Sequence, residues 1–304
     1  MLAIKNLSFS YRKKSPVLNG LSFEAKQGEN LAIIGESGSG KSTLLKLIYG
    51  AYDLIEGQIF WKDTEILGPK FNLVVGYDFM KYVAQEFDLM PFTTVEENIG
   101  QFLSNFYLKE KEKRTAELLD VVELTPFAKI KVKSLSGGQK QRVALARALA
   151  SQPEIILLDE PFSHIDNFKK QSLRRRVFHY LKSEAITCIV ATHDREDVLG
   201  FADQMIVLDQ QKIREHDTPE NLYHQPKTPL IAAFFGEYNL IENQLVYAHQ
   251  LKKVADSDFK VVVVRSYFKG PHYLIEAHWN EKSIFFENSK SIDKDTVVYL
   301  SVSK

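Results

Sequence analysis

The chain has 304 residues, 44% of them hydrophobic, which is enough for one large domain and a second, small one. Lysine plus arginine equals aspartate plus glutamate at 39 each, so no overall charge draws the protein to nucleic acid or anionic lipid. The single cysteine, Cys188, excludes an internal disulfide and suits a reducing cytosol. The N-terminus lacks an apolar signal core, and no run approaches the roughly 18 apolar residues of a membrane helix, so we expect a soluble chain.

The first part of the chain predicts a strand, a glycine-rich loop and a helix. Residues 1–11 and 30–35 are strand-like, and the helix-forming run STLLKLIYGAY begins at Ser42. Between them lies GESGSGKS, which fits the pattern G-x-x-x-x-G-K-[ST] at every fixed position. A glycine-rich turn without function is the alternative explanation, but the flanking strand and helix favour a phosphate-binding loop.

Such a loop binds a nucleoside triphosphate through its backbone. Gly35, Gly38 and Gly40 let consecutive N–H groups face phosphate oxygens, and the next helix adds the positive end of its dipole. Lys41 is expected to reach the β- and γ-phosphates, and the Ser42 hydroxyl to ligate Mg²⁺. The predicted ATP-binding residues here are Gly35, Glu36, Ser37, Gly38, Ser39, Gly40, Lys41, Ser42 and Thr43.

The middle of the chain changes from strands to helices. Residues 52–85 contain short strand-like pieces such as GQIFWK, and residues 95–123 are helical and highly charged. A helical insert of about residues 86–140 is therefore predicted after a β-rich part. It ends near LSGGQKQR, where a Ser-Gly-Gly turn leads directly into a helix and predicts a second phosphate-binding device.

Acidic residues follow the next apolar strand. From Pro153 the pattern is strand, helix, strand, as expected for buried parallel strands, and the run IILLDE ends in Asp159 and Glu160. We assign Asp159 to Mg²⁺, directly or through water, and Glu160 to the attacking water as general base; a solvated turn is the alternative. His193 ends the run CIVATHD and is expected at the same sheet edge, although a lone histidine there is more often structural.

Other features are ambiguous when taken alone. Tyr11 could stack on adenine or be an ordinary half-buried tyrosine, and Gln85 by itself resembles a surface glutamine. The charged runs LKEKEKR and RRR, residues 108–114 and 174–176, are expected to be solvated faces. Neither run supports nucleic-acid binding.

The C-terminal part predicts a separate domain. A polar, proline-bearing stretch at residues 225–229 precedes a helix-like run, PLIAAFFG, and then short strand-like runs such as KVVVVRSYFKG. The predicted fold class is α/β: a P-loop NTPase core with an antiparallel β-subdomain and the helical insert. This core occupies residues 1–235, and a small all-β domain occupies residues 236–304.

The motifs together resemble the ATP-binding-cassette ATPase family. GESGSGKS, Gln85, LSGGQKQR, IILLDEP, SHID and ATHD occur in the family's order and spacing over residues 1 to about 230. The resemblance implies that Tyr11 stacks on adenine and that Gln85 touches the metal and senses the membrane partner. It also implies that His193 is the switch histidine, acting with Lys41 and Glu160 in catalysis. The implied metal-binding residues are Ser42, Gln85 and Asp159.

The resemblance also implies a site divided between two chains. In this family, the serine and glycines of the LSGGQ turn bind the γ-phosphate held by the P-loop of the other subunit. Asp166 in SHID matches the aspartate of a loop that crosses the dimer interface, where His164-Ile165 replaces the more common Ala-Leu. The residues implied to act across the interface, besides Asp166, are Ser136, Gly137, Gly138 and Gln139.

The end of the cassette resembles that of importer ATPases, which lead into a small regulatory domain with an oligonucleotide-binding-like (OB-like, TOBE) fold. The implied protein is a homodimeric ATPase, peripheral at the cytoplasmic face of the inner membrane, that binds ATP and Mg²⁺ and docks on permease subunits. An external solute-binding protein would act through the permease, and no nucleic acid is involved. Two alternatives stay open: the ATPase of an exporter or lipoprotein-release system, and a soluble, non-transport ATPase of the same superfamily.

Overall fold

The computed structural model describes residues 1–12 and 15–303, and these form two compact units, one that ends at residue 219 and one that begins at residue 220. The limit predicted from the sequence, after residue 235, falls inside the second unit and stays a prediction. Among the described residues, no helix is both long and apolar enough to cross a membrane. The elements of the first unit are, in chain order, β1 (Leu2–Arg12), β2 (Ser15–Ala25), β3 (Asn30–Ile34), α1 (Lys41–Ile48), β4 (Glu56–Trp61), β5 (Thr64–Glu65), β6 (Met80–Val83), α2 (Val95–Ile99), α3 (Leu108–Val121), α4 (Gly137–Ala150), β7 (Ile155–Asp159), α5 (Asn167–Ser183), β8 (Thr187–Ala191), α6 (Arg195–Phe201), β9 (Gln204–Asp209) and β10 (Lys212–Asp217).

The first unit is built on a six-stranded sheet with the order β10-β9-β3-β8-β7-β6. Its strands pair in parallel except for β10, which is antiparallel to β9. Every residue of β3, β7 and β8 is buried, as expected for the continuous apolar runs of strands covered on both faces. Because parallel strands end at the same edge, the segments after these three strands lie at one edge of the sheet.

An antiparallel sheet with the order β2-β1-β4-β5 forms the predicted β-subdomain. Its alternating apolar residues share one hydrophobic core with α1 and the large sheet. Leu7, Leu21 and Ile59 of the small sheet lie in this core with Leu44 of α1 and Ile33 of β3.

The helical insert consists of α2 and α3 with short 3₁₀ turns, and it leads into α4. A capping box begins α2, since Thr94 accepts from the Glu97 amide and Glu97 accepts from the Thr94 amide. Leu118 and Leu119 are buried on α3, and most of its charged run faces solvent as predicted.

The second unit is mostly antiparallel β-structure, which confirms the predicted C-terminal β-domain. Helix α7 (Pro219–His224) begins at the last residue of the first unit. The remaining elements are α8 (Pro229–Phe235), β11 (Tyr238–Ile241), β12 (Gln244–Tyr247), β13 (Leu251–Val254), β14 (Lys260–Phe268), β15 (Tyr273–Trp279), β16 (Lys282–Asn288) and β17 (Val297–Val302). Strands β11 and β12 form a two-stranded hairpin, and the others form a five-stranded sheet with the order β13-β17-β14-β15-β16. The core of this unit includes Leu251, Ile275, Phe286 and Leu300.

Candidate active site

The glycine-rich loop is a tight turn between β3 and α1. Gly40, the residue before α1, has φ 103°, a conformation that only glycine adopts without strain. A β-carbon on Gly35 would lie 2.2 Å from the carbonyl oxygen of Leu208, so the loop is pressed against the end of β9. The predicted set from Gly35 to Thr43 therefore forms one continuous turn that ends in the first residues of α1.

Lys41 points back into this loop. Its Nζ donates to the carbonyl oxygens of Gly35, at 2.8 Å, and Glu36, at 3.0 Å. Burial lowers the pKa of Lys41, against the opposing effect of the carboxylates of Glu160 and Asp159. The ammonium group is thus partly desolvated and lies where a phosphate oxygen could replace the loop carbonyls.

Ser42 and Asp159 are brought together although they lie far apart in the sequence. Ser42 Oγ donates to Asp159 Oδ1 at 3.0 Å, and the Tyr82 hydroxyl donates to Asp159 Oδ2, also at 3.0 Å. Burial and the neighbouring Asp159 carboxylate raise the pKa of Tyr82, so this hydroxyl stays protonated. Adjacent hydroxyl and carboxylate oxygens are the donors that Mg²⁺ prefers, so these residues fit a magnesium ion bound with the nucleotide.

Gln85 is not part of this cluster. It is exposed in the loop after β6, and within the described ranges no hydrogen bond joins it to Ser42 or Asp159. Its metal-binding role stays a prediction.

Glu160 and His193 meet at the edge of the sheet. His193 Nδ1 lies 3.1 Å from Glu160 Oε1, and the imidazole is largely exposed. The Glu160 amide donates to the carbonyl of Ala191 at 2.9 Å, which ties the end of β7 to the end of β8. Glu160 has φ 50°, an uncommon conformation for a residue with a side chain. The structure therefore places the predicted general base and the histidine side by side.

A buried ionic network holds the segment that carries His193. Arg174 on α5, only 2% exposed, donates to Asp197 Oδ1 at 2.5 Å and also contacts Asp194. Thr192 Oγ1 donates to Asp197 Oδ2 at 2.6 Å. The expectation that residues 174–176 form a solvated face is therefore wrong for Arg174, because the buried Asp197 and the half-buried Asp194 bind its guanidinium group.

The Ser-Gly-Gly turn caps α4 and opens onto a separate cavity. Ser136 and Gln139 form a capping box. The backbone N–H of Gln139 donates to Ser136 Oγ at 3.3 Å, and the side-chain Oε1 of Gln139 accepts from the backbone N–H of Ser136 at 2.8 Å. The adjoining cavity has a volume of about 260 Å³, and none of residues 35–43 lines it. It is lined by Ser136, Gly137, Gly138, Gln139, Arg142, His164, Ile165, Asp166 and Lys169.

The predicted interfacial residues therefore form a group of their own. A β-carbon on Gly138 would lie 2.6 Å from the carbonyl oxygen of His164, so the glycine permits close packing of α4 against the Asp166 loop. Asp166 is exposed at the start of α5. Asp166 and residues 136–139 therefore line the same cavity, and this cavity is separate from the loop that holds Lys41.

Gln141 links Glu160, at the edge of the sheet, to the loop of Asp166. This link was not predicted from the sequence. The carboxamide of Gln141 is 1% exposed, donates through Nε2 to the Glu160 carbonyl at 2.9 Å and accepts through Oε1 from the His164 amide at 3.1 Å. A glutamine inside an ordinary helical pattern carries no signal for such a bridge.

Tyr11 lies beside the first turn of α1. Its hydroxyl is 3.0 Å from Thr43 Oγ1, and its ring contacts Phe9 and Tyr52 edge to face at 5.0 and 5.5 Å. The side chain is 54% exposed, so part of the ring is accessible near the phosphate-binding loop. Adenine stacking stays a prediction.

The sheet, the P-loop and the acidic edge define a P-loop ATPase, and comparison with known proteins gives its family. A family model described as "ABC transporter" matches residues 18–163. The chain is 40% identical over 240 residues to the Fe(3+) ions import ATP-binding protein FbpC 2 of Haemophilus influenzae, covering 78% of this chain and 67% of that protein. The chain therefore belongs to the ABC transporter family, and it is an ATP-binding ATPase.

Two further comparisons agree. The chain is 33% identical over 279 residues to the spermidine/putrescine import ATP-binding protein PotA of Bacillus cereus, covering 90% of this chain and 84% of that protein. The ATP-binding cassette MJ0796, solved as a dimer in a post-hydrolysis state with ADP and Pi, matches with a TM-score of 0.64 and 30% identity. That match covers 72% of this chain and 98% of the solved chain.

Proposed function

We propose that this chain is the ATP-hydrolysing subunit of an importer, in which two copies close around ATP and drive a membrane permease. The observation that carries the proposal is the pairing of Glu160 with His193, 3.1 Å apart, at the sheet edge that also holds Lys41 and Asp159. Two relatives named as import ATP-binding proteins support the direction of transport. They are named for different solutes, so the proposal names none.

Hydrolysis is transfer of the γ-phosphoryl group to water. The loop amides and Lys41 bind the β- and γ-phosphates and stabilise the charge that develops on them. Ser42 and Asp159 would hold Mg²⁺, which would supply positive charge to the phosphoryl oxygens. Glu160 orients the attacking water through a carboxylate oxygen and accepts its proton, and His193 holds that carboxylate and reaches the γ-phosphate.

The second copy completes each site. Ser136, Gly137, Gly138 and Gln139 of one copy bind the γ-phosphate held by the other, since a capped helix N-terminus preceded by a serine hydroxyl is an anion-binding site. Asp166 crosses the same interface. The dimer solved for a similar cassette with ADP and Pi supports this arrangement. Here Tyr11 stacks on adenine, and Gln85 reaches the metal and senses the permease.

The chain acts as a peripheral subunit at the cytoplasmic face of the membrane. An external solute-binding protein delivers the solute to the permease. Co-purification from membranes with a permease, followed by ATPase measurements with added solutes, tests this part. A chain that stays with soluble proteins, or transport in the outward direction, would favour the soluble or exporter alternative.

Glu160→Gln tests the catalytic assignment. The amide cannot accept the proton of water, so we expect turnover to fall by about 10²- to 10⁴-fold while ATP binding remains. With ATP and Mg²⁺ the variant should accumulate as a dimer in size-exclusion chromatography with light scattering. Adding Ser136→Arg should prevent that dimer by filling the phosphate-binding turn. Full turnover in Glu160→Gln would reject the general base.

A further inference from the structure

The carboxylate of Asp159 is held by a hydroxyl group on each oxygen. Ser42 donates to Oδ1 and Tyr82 donates to Oδ2, each at 3.0 Å, and Asp159 is only 4% exposed. Tyr82 lies on β6, where it pairs with Leu157 of the neighbouring β7, two residues before Asp159. Neither the glycine motifs nor the acidic pair predicts a role for this tyrosine.

The two hydroxyl groups hold different oxygens of the carboxylate. Ser42 is itself a predicted ligand of Mg²⁺, and a hydroxyl that binds a cation through a lone pair keeps its proton, so it can still donate to Asp159 Oδ1. Tyr82 donates to Oδ2 and is not a predicted metal ligand. A single hydrogen bond leaves a carboxylate free to rotate about its Cβ–Cγ bond, so the second bond, from Tyr82, fixes its orientation, as groups behind a metal ligand do.

The ring of Tyr82 also packs against another tyrosine. Its centroid lies 5.6 Å from that of Tyr49, so the side chain contributes to packing whether or not its hydroxyl acts. A test must therefore remove the hydroxyl and keep the ring.

We propose that Tyr82 is a positioning residue that fixes the Asp159 carboxylate for the Mg²⁺ of the bound nucleotide. The proposal rests on the proposed function of this site. Strand β6 would then help to orient a metal ligand, and the same strand leads directly into the loop that contains Gln85.

The experiment compares Tyr82→Phe with Tyr49→Phe, both in the Glu160→Gln background, which removes turnover. Tyr49 is a matched control, because its hydroxyl makes no hydrogen bond to Asp159 among the described residues. ATP affinity is measured by calorimetry over a series of Mg²⁺ concentrations and in EDTA. For Tyr82→Phe we expect the Mg²⁺ concentration of half-maximal effect to rise about tenfold, with unchanged affinity in EDTA. Tyr49→Phe should behave like its parent.

Three results would overturn the inference. The first is the same Mg²⁺ requirement in both tyrosine variants. The second is an equal loss of ATP affinity in Mg²⁺ and in EDTA, which would indicate that the hydroxyl only supports the fold; thermal unfolding of each variant checks this. The third is a Glu160→Gln parent that does not bind ATP in Mg²⁺, and this alone would also reject the proposed function.

Discussion

Glycine-bearing turns precede helices α1 and α4, and the two turns require glycine for different physical reasons. In the loop before α1, Gly38 and Gly40 have φ values of 82° and 103°, which side chains rarely allow. In the turn before α4, Gly137 and Gly138 are the first residues of a regular helix. A β-carbon added at Gly138 would collide with the backbone of His164, so glycine is needed there for close packing. A β-carbon added at Gly137 would have no neighbouring atom within 4 Å, so that position is open.

The turns also differ in what surrounds them. Lys41 with Asp159 and Glu160 lies at the first, so that site has its own cation and carboxylates. The second is capped by Ser136 and faces a cavity that neither carboxylate lines. The chain thus has one glycine turn beside the predicted catalytic groups and a second turn without them, as expected if the second turn serves a neighbouring copy.

The largest effect is expected for Gly35→Ala. The new β-carbon would meet the backbone oxygen of Leu208 at 2.2 Å, so the loop or β9 must move. We expect a loss of about 3 kcal/mol in the free energy of unfolding and no measurable ATP binding. Gly38→Ala is the control, since it has open space and only an unfavourable φ, which costs about 1 kcal/mol. Equal behaviour of the two variants in denaturant unfolding would contradict the steric explanation.

A smaller effect is expected for Gly138→Ala. Its β-carbon would press on His164 at 2.6 Å and displace the Asp166 loop, at a cost of about 1 to 2 kcal/mol. ATP binding to the monomer should be unchanged because residues 35–43 are untouched. The ATP-dependent dimer of the Glu160→Gln protein should be lost in light scattering. A variant that dimerises normally would show that this loop is not needed for closure.

Gly137→Ala should change the free energy of unfolding least, and it should raise this free energy where the other two substitutions lower it. The position is open and helical, so alanine should stabilise the monomer by about 0.5 kcal/mol, measured by urea unfolding. If the glycine backbone faces the γ-phosphate of a neighbour, the same variant should weaken the ATP-dependent dimer. Stabilisation with undiminished dimerisation would place the phosphate elsewhere.

Much of the fold and the family could be predicted from patterns that are local in sequence. The P-loop between β3 and α1, the buried strand that ends in Asp159 and the C-terminal strands each have a continuous signal. β2 was not predicted: Leu21, Phe23 and Ala25 alternate in its second half, but the alternation breaks between Leu18 and Leu21, where its pairing with β1 shifts register.

The missed parts of the site depend on contacts between distant residues. Tyr82 and Asp159 are 77 positions apart, and Arg174 and Asp197 are 23 apart. A charged run such as residues 174–176 has the same composition whether its side chains face solvent or bind carboxylates inside the protein, as Arg174 binds Asp197. Only the packing of α5 against the segment after β8 distinguishes them.

The bridge made by Gln141 has a consequence for how two copies would behave. It bonds the backbone of Glu160 and that of His164 from a helix whose first turn carries Ser136. A displacement of α4 by the neighbour's nucleotide would thus reach the residue that serves the chain's own nucleotide. In such a pair the two ATP sites would be coupled, so replacing Gln141 should change how the hydrolysis rate depends on ATP concentration.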